Sequence, residues 1–132
     1  MTAITKSIVF IQTTIKSIHE ALSIVANIQC KTTKQRLLAL DLKAMTSVID
    51  ALCRNNDIEY KPEYVQIAFK NLQSILVVIH ATLTVVNDVS EEHKQKYLYR
   101  WRSLDYSEYL DNLVLNTERL NKRFTLFATL YQ

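Results

Sequence analysis

The most suggestive chemistry in this chain lies between residues 93 and 102, where cations alternate with aromatic side chains. The cations are Lys94, Lys96, Arg100 and Arg102, and the aromatic residues are Tyr97, Tyr99 and Trp101. Cations bind anionic lipid head groups, and Trp and Tyr prefer the boundary between water and acyl chains. Each cation contributes about 1 kcal/mol at an anionic leaflet. Residues 94–102, which we call the basic connector, are therefore a candidate lipid-binding segment. The alternative is that Leu98 and Trp101 cover one end of the protein while the charges stay in water.

A second group of cations lies nearer the N-terminus. Its members are Lys31, Lys34, Arg36 and Lys43. Residues 31–54 carry five positive and two negative side chains, whereas residues 55–92 carry two positive and six negative ones. This uneven distribution indicates a second surface for an anionic partner, and ordinary solubilising charge is the alternative. Lys34 and Arg36 cannot share one helix face, because two residues turn a helix by about 200°.

Enzymatic and metal chemistry find no support in the residue pattern. The 132 residues contain no glycine, and phosphate loops, dinucleotide-binding turns and nucleophile elbows depend on it. The histidines, His19, His80 and His93, stand far apart and lack the His-Glu-x-x-His spacing, and the glutamates lack Glu-x-x-His. We therefore predict no enzyme, no catalytic residue, no metal and no cofactor. The net charge of +3 is too small to indicate a nucleic-acid partner.

The elements that position these residues follow from apolar spacing. Average proteins contain roughly 7% glycine, and a chain with none and with one proline favours long helices. Four stripes of apolar residues recur at alternating intervals of three and four. They run from Ile4 to Val25, from Leu38 to Leu52, from Val65 to Val86 and from Tyr106 to Tyr131. This spacing is typical of helices that pack at a shallow angle against near-parallel neighbours.

The stripes predict one all-α domain over residues 1–132, an antiparallel up-down four-helix bundle. We expect helices at about 3–28, 33–55, 62–87 and 104–131, with a longer loop or short helix at 88–103. Thr32 or Thr33 is expected to cap the second helix, and Ser103 or Asp105 the fourth. Pro62 is expected in the first turn of the third helix. Asn87, Asp88 and Ser90 are expected to end that helix or to restart a short one.

The remaining expectations concern compartment and surface. No secretory signal is visible at the N-terminus. The most apolar window, residues 75–86, is shorter than the roughly 20 residues that span a bilayer, so we expect a soluble protein. Cys30 and Cys53 would lie about 35 Å apart on one helix, which favours two reduced thiols. His19 is expected at the surface and His80 at the edge of the bundle.

Several segments together resemble a known family. The second helix opens with Cys30-Lys-Thr-Thr-Lys-Gln-Arg-Leu-Leu and continues to Val48-Ile-Asp-Ala-Leu52. The third contains Ala68-Phe-Lys-Asn-Leu-Gln-Ser-Ile-Leu76, and the fourth Tyr109-Leu-Asp-Asn-Leu-Val-Leu and Thr117-Glu-Arg-Leu-Asn. With the basic connector between them, these segments resemble the N-terminal four-helix bundle of mixed-lineage kinase domain-like proteins and related HeLo-type domains. The resemblance covers nearly the whole chain and rests on a degenerate pattern of Leu, Lys and Arg.

The resemblance implies a function. Bundles of this family act on membranes in regulated cell death, including necroptosis. They oligomerise, bind anionic phospholipids and permeabilise the membrane, moving there from the cytoplasm on activation. By position, the implied lipid-contacting residues are Lys31, Lys34, Arg36, Lys43, Lys94, Lys96, Arg100, Trp101 and Arg102. A brace or kinase-like region would follow Gln132 in a longer protein. The alternative is a helical adaptor that self-associates or docks a partner helix and so regulates an attached kinase or signalling domain.

Overall fold

Four helices pack together into a bundle. The computed structural model describes residues 3–25, 35–37, 40–54, 58–95 and 106–131, with the side chains of 93–95 excepted. The helices are α1 (Ala3–Val25), α2 (Leu42–Cys53), α3 (Glu63–Gln95) and α4 (Ser107–Tyr131), and a 3-10 turn spans Ile58–Tyr60. Residues 35–37 are also helical. No strand occurs within these ranges, so the prediction of an all-α four-helix bundle is confirmed.

The predicted apolar stripes form the core. The stripe of α3 is buried over its whole length, and none of its members is more than 1% exposed. These members are Val65, Phe69, Leu72, Leu76, Ile79, Leu83 and Val86. At one level of the bundle Phe69 packs against Phe127 of α4, with ring centroids 5.5 Å apart in a tilted arrangement. Tilted aromatic pairs add about 0.5–1.5 kcal/mol beyond the burial of their area. Spacing alone was therefore sufficient to identify the buried face.

Helices α1 and α3 form although they are rich in Ile, Val and Thr, which are poor helix formers in isolation. Their threonines satisfy the hydroxyl within the helix. Thr14 Oγ1 donates to the carbonyl of Phe10 at 2.9 Å, and Thr84 Oγ1 donates to that of His80 at 2.9 Å. The hydroxyl is then no longer free to compete for the backbone in other conformations. These helices form because burial of their apolar stripes outweighs the weak helix propensity of their residues.

The prediction of one continuous second helix at 33–55 is wrong, because the backbone turns at Asp41. Asp41 has a φ of 55° in the left-handed region, which aspartate tolerates better than most residues. The amide of Leu40 donates to the carbonyl of Leu37 at 3.3 Å, and α2 begins at Leu42. Leu37 and Leu42 are both buried, and a turn between them lets each reach the core. The capping residues Thr32 and Thr33 lie outside the described residues.

Helix α3 begins at Glu63, so that Pro62 directly precedes its first turn instead of lying in it, and the helix ends later than predicted. The carbonyl of Pro62 accepts hydrogen bonds from the amides of Val65 and Gln66. Glu63 lies in the first turn, where its negative charge interacts favourably with the helix dipole. The helix does not stop at 87 but continues to Gln95. The side-chain amide of Asn87 donates a hydrogen bond to a carbonyl of α1, and Ser90 is buried. The buried face of α3 therefore continues past the residues that were expected to end the helix.

Residues 88–95, the first part of the segment 88–103 that was expected to form a longer loop or a short helix, therefore belong to α3. Residues 96–105, with the expected capping residues Ser103 and Asp105, lie outside the described residues.

Contacts between helices define the two ends of the bundle. At one end the side-chain amide of Asn87 lies 3.4 Å from the carbonyl of Ala21, and Thr82 Oγ1 lies 2.9 Å from Asn112 Oδ1. This end holds the last turns of α1 and α3 and the first turn of α4, and we call it the connector end. At the opposite end, Lys61 Nζ lies 4.4 Å from the centroid of the Tyr131 ring.

Two helices are long and apolar enough to cross a membrane, judged by length and composition alone. They are α1, Ala3–Val25, and the segment Glu63–Glu92 of α3. The expectation from residues 75–86 was too narrow, because the helix that contains them is 33 residues long. Core helices of soluble proteins have the same properties, and both helices carry buried stripes here.

Candidate functional site

Arg36 is the predicted lipid-contacting residue whose side-chain geometry is best defined. Its Nη2 atom lies 3.1 Å from Asp111 Oδ1, and the two side chains are 40% and 74% exposed. Arg36 belongs to the helical residues 35–37, and Asp111 belongs to the first turns of α4. Leu37 beside it is buried, which holds the segment against the bundle. The ion pair therefore places Arg36 at the connector end.

The other predicted residues divide into described and undescribed ones. Lys43 is exposed in the first turn of α2. The backbone of Lys94 lies in the last turn of α3, one residue before its end at Gln95. The remaining predicted residues fall outside the described residues; these are Lys31, Lys34, Lys96, Arg100, Trp101 and Arg102.

The connection of the chain nevertheless relates the two basic groups. Residues 26–34 leave the end of α1, and residues 96–105 join the end of α3 to the start of α4. All three helix termini belong to the connector end. Both basic groups are therefore attached to the same end of the bundle, although about 60 residues separate them in the sequence.

Exposed carboxylates accompany the cations at the connector end. On the last turns of α3 and the first turns of α4 these are Asp88, Glu91, Glu92, Glu108 and Asp111. Asp111 neutralises Arg36 directly. Attraction of an anionic surface would therefore come mainly from the sequence segments 31–34 and 94–102, where cations occur without carboxylates, and from the exposed Lys43.

His19 occupies a more structured position than the sequence suggested. It is partly buried, and its Nε2 atom lies 2.8 Å from the hydroxyl of Thr46 on α2, which is fully buried. Thr46 Oγ1 also lies 2.7 Å from the carbonyl of Leu42. A hydroxyl has one proton, so Thr46 donates to Leu42 and accepts from His19, whose Nε2 must carry a proton. Nothing in the sequence links these residues, which are 27 positions apart.

Beside this bond, an open cleft of about 550 Å³ lies between α1 and α2. Its polar lining residues are Gln12, Lys16, His19, Glu20, Ser23, Asp50 and Arg54. Asp50 Oδ2 and Arg54 Nη2 pair within the lining at 2.6 Å. The lining contains two cations and two carboxylates, so it offers no net attraction for an anion or a cation.

The described residues offer neither a metal site nor a reactive thiol. Within the described residues no group of three or more His, Cys, Asp or Glu side chains lies close enough to hold a metal ion. Cys53 is fully buried and forms no disulfide. Burial, and secondarily the nearby Asp50 carboxylate, raise the pKa of the Cys53 thiol to about 12, so it is inert as a nucleophile at neutral pH. Cys30 lies outside the described residues.

The outer face of α3 carries a feature that the sequence analysis missed. Residues 71–87 contain no Asp, Glu, Lys or Arg, and part of this run faces outward. Val77, Val78 and Val85 are each 41–42% exposed, and Ala81 is exposed between them. The absence of charge over 17 residues was visible in the sequence. The lack of charge becomes significant only once the buried stripe is known, because apolar residues then remain exposed on the opposite face of α3.

No protein-family model, curated protein sequence or solved structure matches the chain. The resemblance to HeLo-type bundles therefore rests on the residue patterns quoted above and remains a prediction.

Proposed function

We propose that this bundle is a membrane-targeting module that binds anionic phospholipids through its connector end and permeabilises the membrane after oligomerisation. In this proposal it is the executioner domain of a regulated cell-death protein. The observation that carries the proposal is the attachment of both basic groups to one end of the bundle. Arg36 contacts Asp111, and the basic connector joins α3 to the helix that contains Asp111.

The energetics support docking at that end. The segments 31–34 and 94–102 carry six cations, and about 1 kcal/mol for each cation near an anionic leaflet gives a useful affinity. Trp101 and two tyrosines in the connector suit the head-group region. The apolar composition of α1 and α3 is compatible with insertion once the bundle opens, because their outward apolar residues need no polar partner.

We also infer the up-down antiparallel arrangement of the bundle. Along α3 and α4, Thr82 contacts Asn112 and Phe69 contacts Phe127, so residue numbers rise on one helix as they fall on the other. Paired spin labels test this inference. Labels at Ile67 and Leu126 should be closer together than labels at Ile67 and Leu115 by about 15 Å. The reverse order of distances would exclude it.

Dye leakage from vesicles tests permeabilisation. Vesicles of neutral lipid alone are compared with vesicles that also contain phosphoinositide or cardiolipin. We expect leakage from the anionic vesicles only. A variant with Lys94, Lys96, Arg100 and Arg102 all changed to Glu should abolish it. Equal leakage by the wild-type chain and this variant, or none by the wild-type chain, would contradict the proposal.

The adaptor function remains the second candidate. The observation that favours it is a pair of exposed aromatic residues, one in the 3-10 turn before α3 and one in the first turn of α3. Tyr60 is 82% exposed and Tyr64 is 58% exposed, and Ile67 continues the same face at 52%. Aromatic residues are enriched in protein interfaces. An adaptor should self-associate or capture a helical partner without lipid, and reversing the charges of the basic connector should leave that binding unchanged.

A further inference from the structure

The outer face of α3 carries a second periodic stripe, opposite the buried one. Its members recur at intervals of three and four, and all are exposed: Lys70, Ser74, Val77, Ala81, Val85, Asp88 and Glu92. Because a helix turns 100° per residue, these positions lie along a single face. Within the described residues no helix covers the middle of this stripe, since Val77 and Val85 remain more than two-fifths exposed.

The positions of the stripe are symmetric about Ala81, and the charges at its two ends are opposite in sign. A cation, Lys70, stands at one end, and a carboxylate, Glu92, stands at the other, each 11 residues from Ala81. Val77 and Val85 lie at equal distances on either side. Neither Lys70 nor Glu92 belongs to the ion pairs within the described residues. In two antiparallel copies of α3 that cross at Ala81, Lys70 of each copy would face Glu92 of the other.

Arg123 of α4 reinforces this complementarity. Its Nη1 atom donates to Ser74 Oγ at 2.9 Å and to the carbonyl of Asn71 at 2.9 Å, which fixes a cation beside the stripe. The antiparallel pairing sets Ser74 of one copy against Asp88 of the other, so Asp88 would meet Arg123. Both carboxylates of the stripe thereby gain a cation that the ion pairs of the described residues do not give them in one copy.

We propose that this stripe is the interface of a two-fold symmetric dimer, in which α3 packs antiparallel against α3 of a second copy. A two-fold interface uses the same patch on both copies, and the symmetry about Ala81 provides such a patch. The small side chain at the axis lets the helices approach closely, and the valines on either side supply apolar contact. The interface deepens the oligomerisation step of the proposed function and requires no lipid.

Charge exchange tests the proposal in lipid-free solution by sedimentation velocity over a concentration series. Lys70→Glu alone and Glu92→Lys alone each place like charges opposite one another twice in the dimer. Each should therefore weaken association about tenfold. The double variant Lys70→Glu/Glu92→Lys restores opposite charges and should recover the wild-type dissociation constant within about threefold. Failure of the double variant to recover, or wild-type chains that stay monomeric at all concentrations, would overturn the proposal.

Cross-linking tests the position of the axis. In a Cys30→Ser background, Ala81→Cys places two thiols together at the two-fold axis and should give a disulfide-linked dimer on mild oxidation. Val48→Cys, an exposed position on α2 (54% exposed), is the matched control and should remain monomeric. Equal cross-linking at both positions would overturn the assignment. Because these experiments contain no membrane, their failure is distinct from a failure of vesicle binding.

Discussion

Arg36 and Asp111 stand 75 positions apart in the sequence and join through a 3.1 Å contact between Nη2 and Oδ1. Both side chains are well exposed, so the pair contributes at most about 1 kcal/mol to stability. Its importance is positional. It holds Arg36 against the helix that follows the basic connector, and it neutralises one cation of the candidate lipid-binding surface.

Removing the carboxylate should strengthen lipid binding. Asp111→Asn keeps the shape of the side chain and frees the charge of Arg36, so we expect two- to fivefold tighter binding to anionic vesicles. The free energy of unfolding should change by less than about 1 kcal/mol. Asp50→Asn, which breaks the Arg54 pair on α2, is the control with the same change of net charge. Equal effects of the two variants would argue against a local role of Arg36.

Two buried threonines should respond oppositely to replacement by valine. Thr46 accepts a hydrogen bond from His19 and donates one to Leu42, so Thr46→Val should lower the free energy of unfolding by about 1–3 kcal/mol. Thr117 Oγ1 is buried and has no hydrogen-bond partner among the described residues, so Thr117→Val should leave stability unchanged or raise it by about 1 kcal/mol. Urea denaturation measures both. A loss of similar size in both variants would contradict these hydrogen-bond assignments.

Two adjacent residues on α3 distinguish the buried core from the exposed outer face of the helix. Ile79 is fully buried, and Val78 beside it is 42% exposed. Ile79→Ala should cost about 2–5 kcal/mol of unfolding free energy because it leaves a cavity, whereas Val78→Ala in dilute solution should cost less than about 1 kcal/mol. Similar losses in the two variants would mean that the outer face of α3 is covered in the isolated chain.

The buried thiol predicts a dependence of stability on alkaline pH. The pKa of Cys53 is raised from 9.0 to about 12 in the folded protein, so above pH 9 the unfolded chain releases a proton that the folded chain retains. Stability from the neutral thiol is complete below pH 9 and is lost as the pH rises toward 12, by about 1.4 kcal/mol per pH unit. The stability advantage of the wild-type chain over Cys53→Ala should therefore shrink between pH 9 and 11. A constant difference would contradict burial of the thiol.

Those parts of the fold that depend on one helix face could be predicted from the sequence. The stripe from Val65 to Val86 is buried because three- and four-residue spacing places these residues on one side. The turn at Asp41 could not be predicted, since it depends on Leu37 and Leu42 reaching the core together. The extension of α3 past Asn87 could not be predicted either, because it depends on a hydrogen bond from Asn87 Nδ2 to the carbonyl of Ala21 on another helix.

The candidate site was predicted in part for a related reason. Charge counting identified Arg36 and the basic connector as cationic segments, but it could not reveal Asp111 as the partner of Arg36 or the attachment of both segments to one end. These relationships depend on how the helices pack. The bond between His19 and Thr46 had no signal in the sequence, because neither residue type requires the other.

The most direct test of the account is flotation of the protein with vesicles that contain about one-third anionic lipid, at near-physiological ionic strength. The wild-type chain should float with these vesicles and remain behind with neutral ones. The variant with Lys94, Lys96, Arg100 and Arg102 changed to Glu should lose at least about tenfold in binding. The matched variant reverses four exposed cations elsewhere, namely Lys6, Lys16, Arg119 and Lys122. It should keep most of its binding. Wild-type chains that fail to float, or equal losses in both variants, would contradict lipid binding at the connector end.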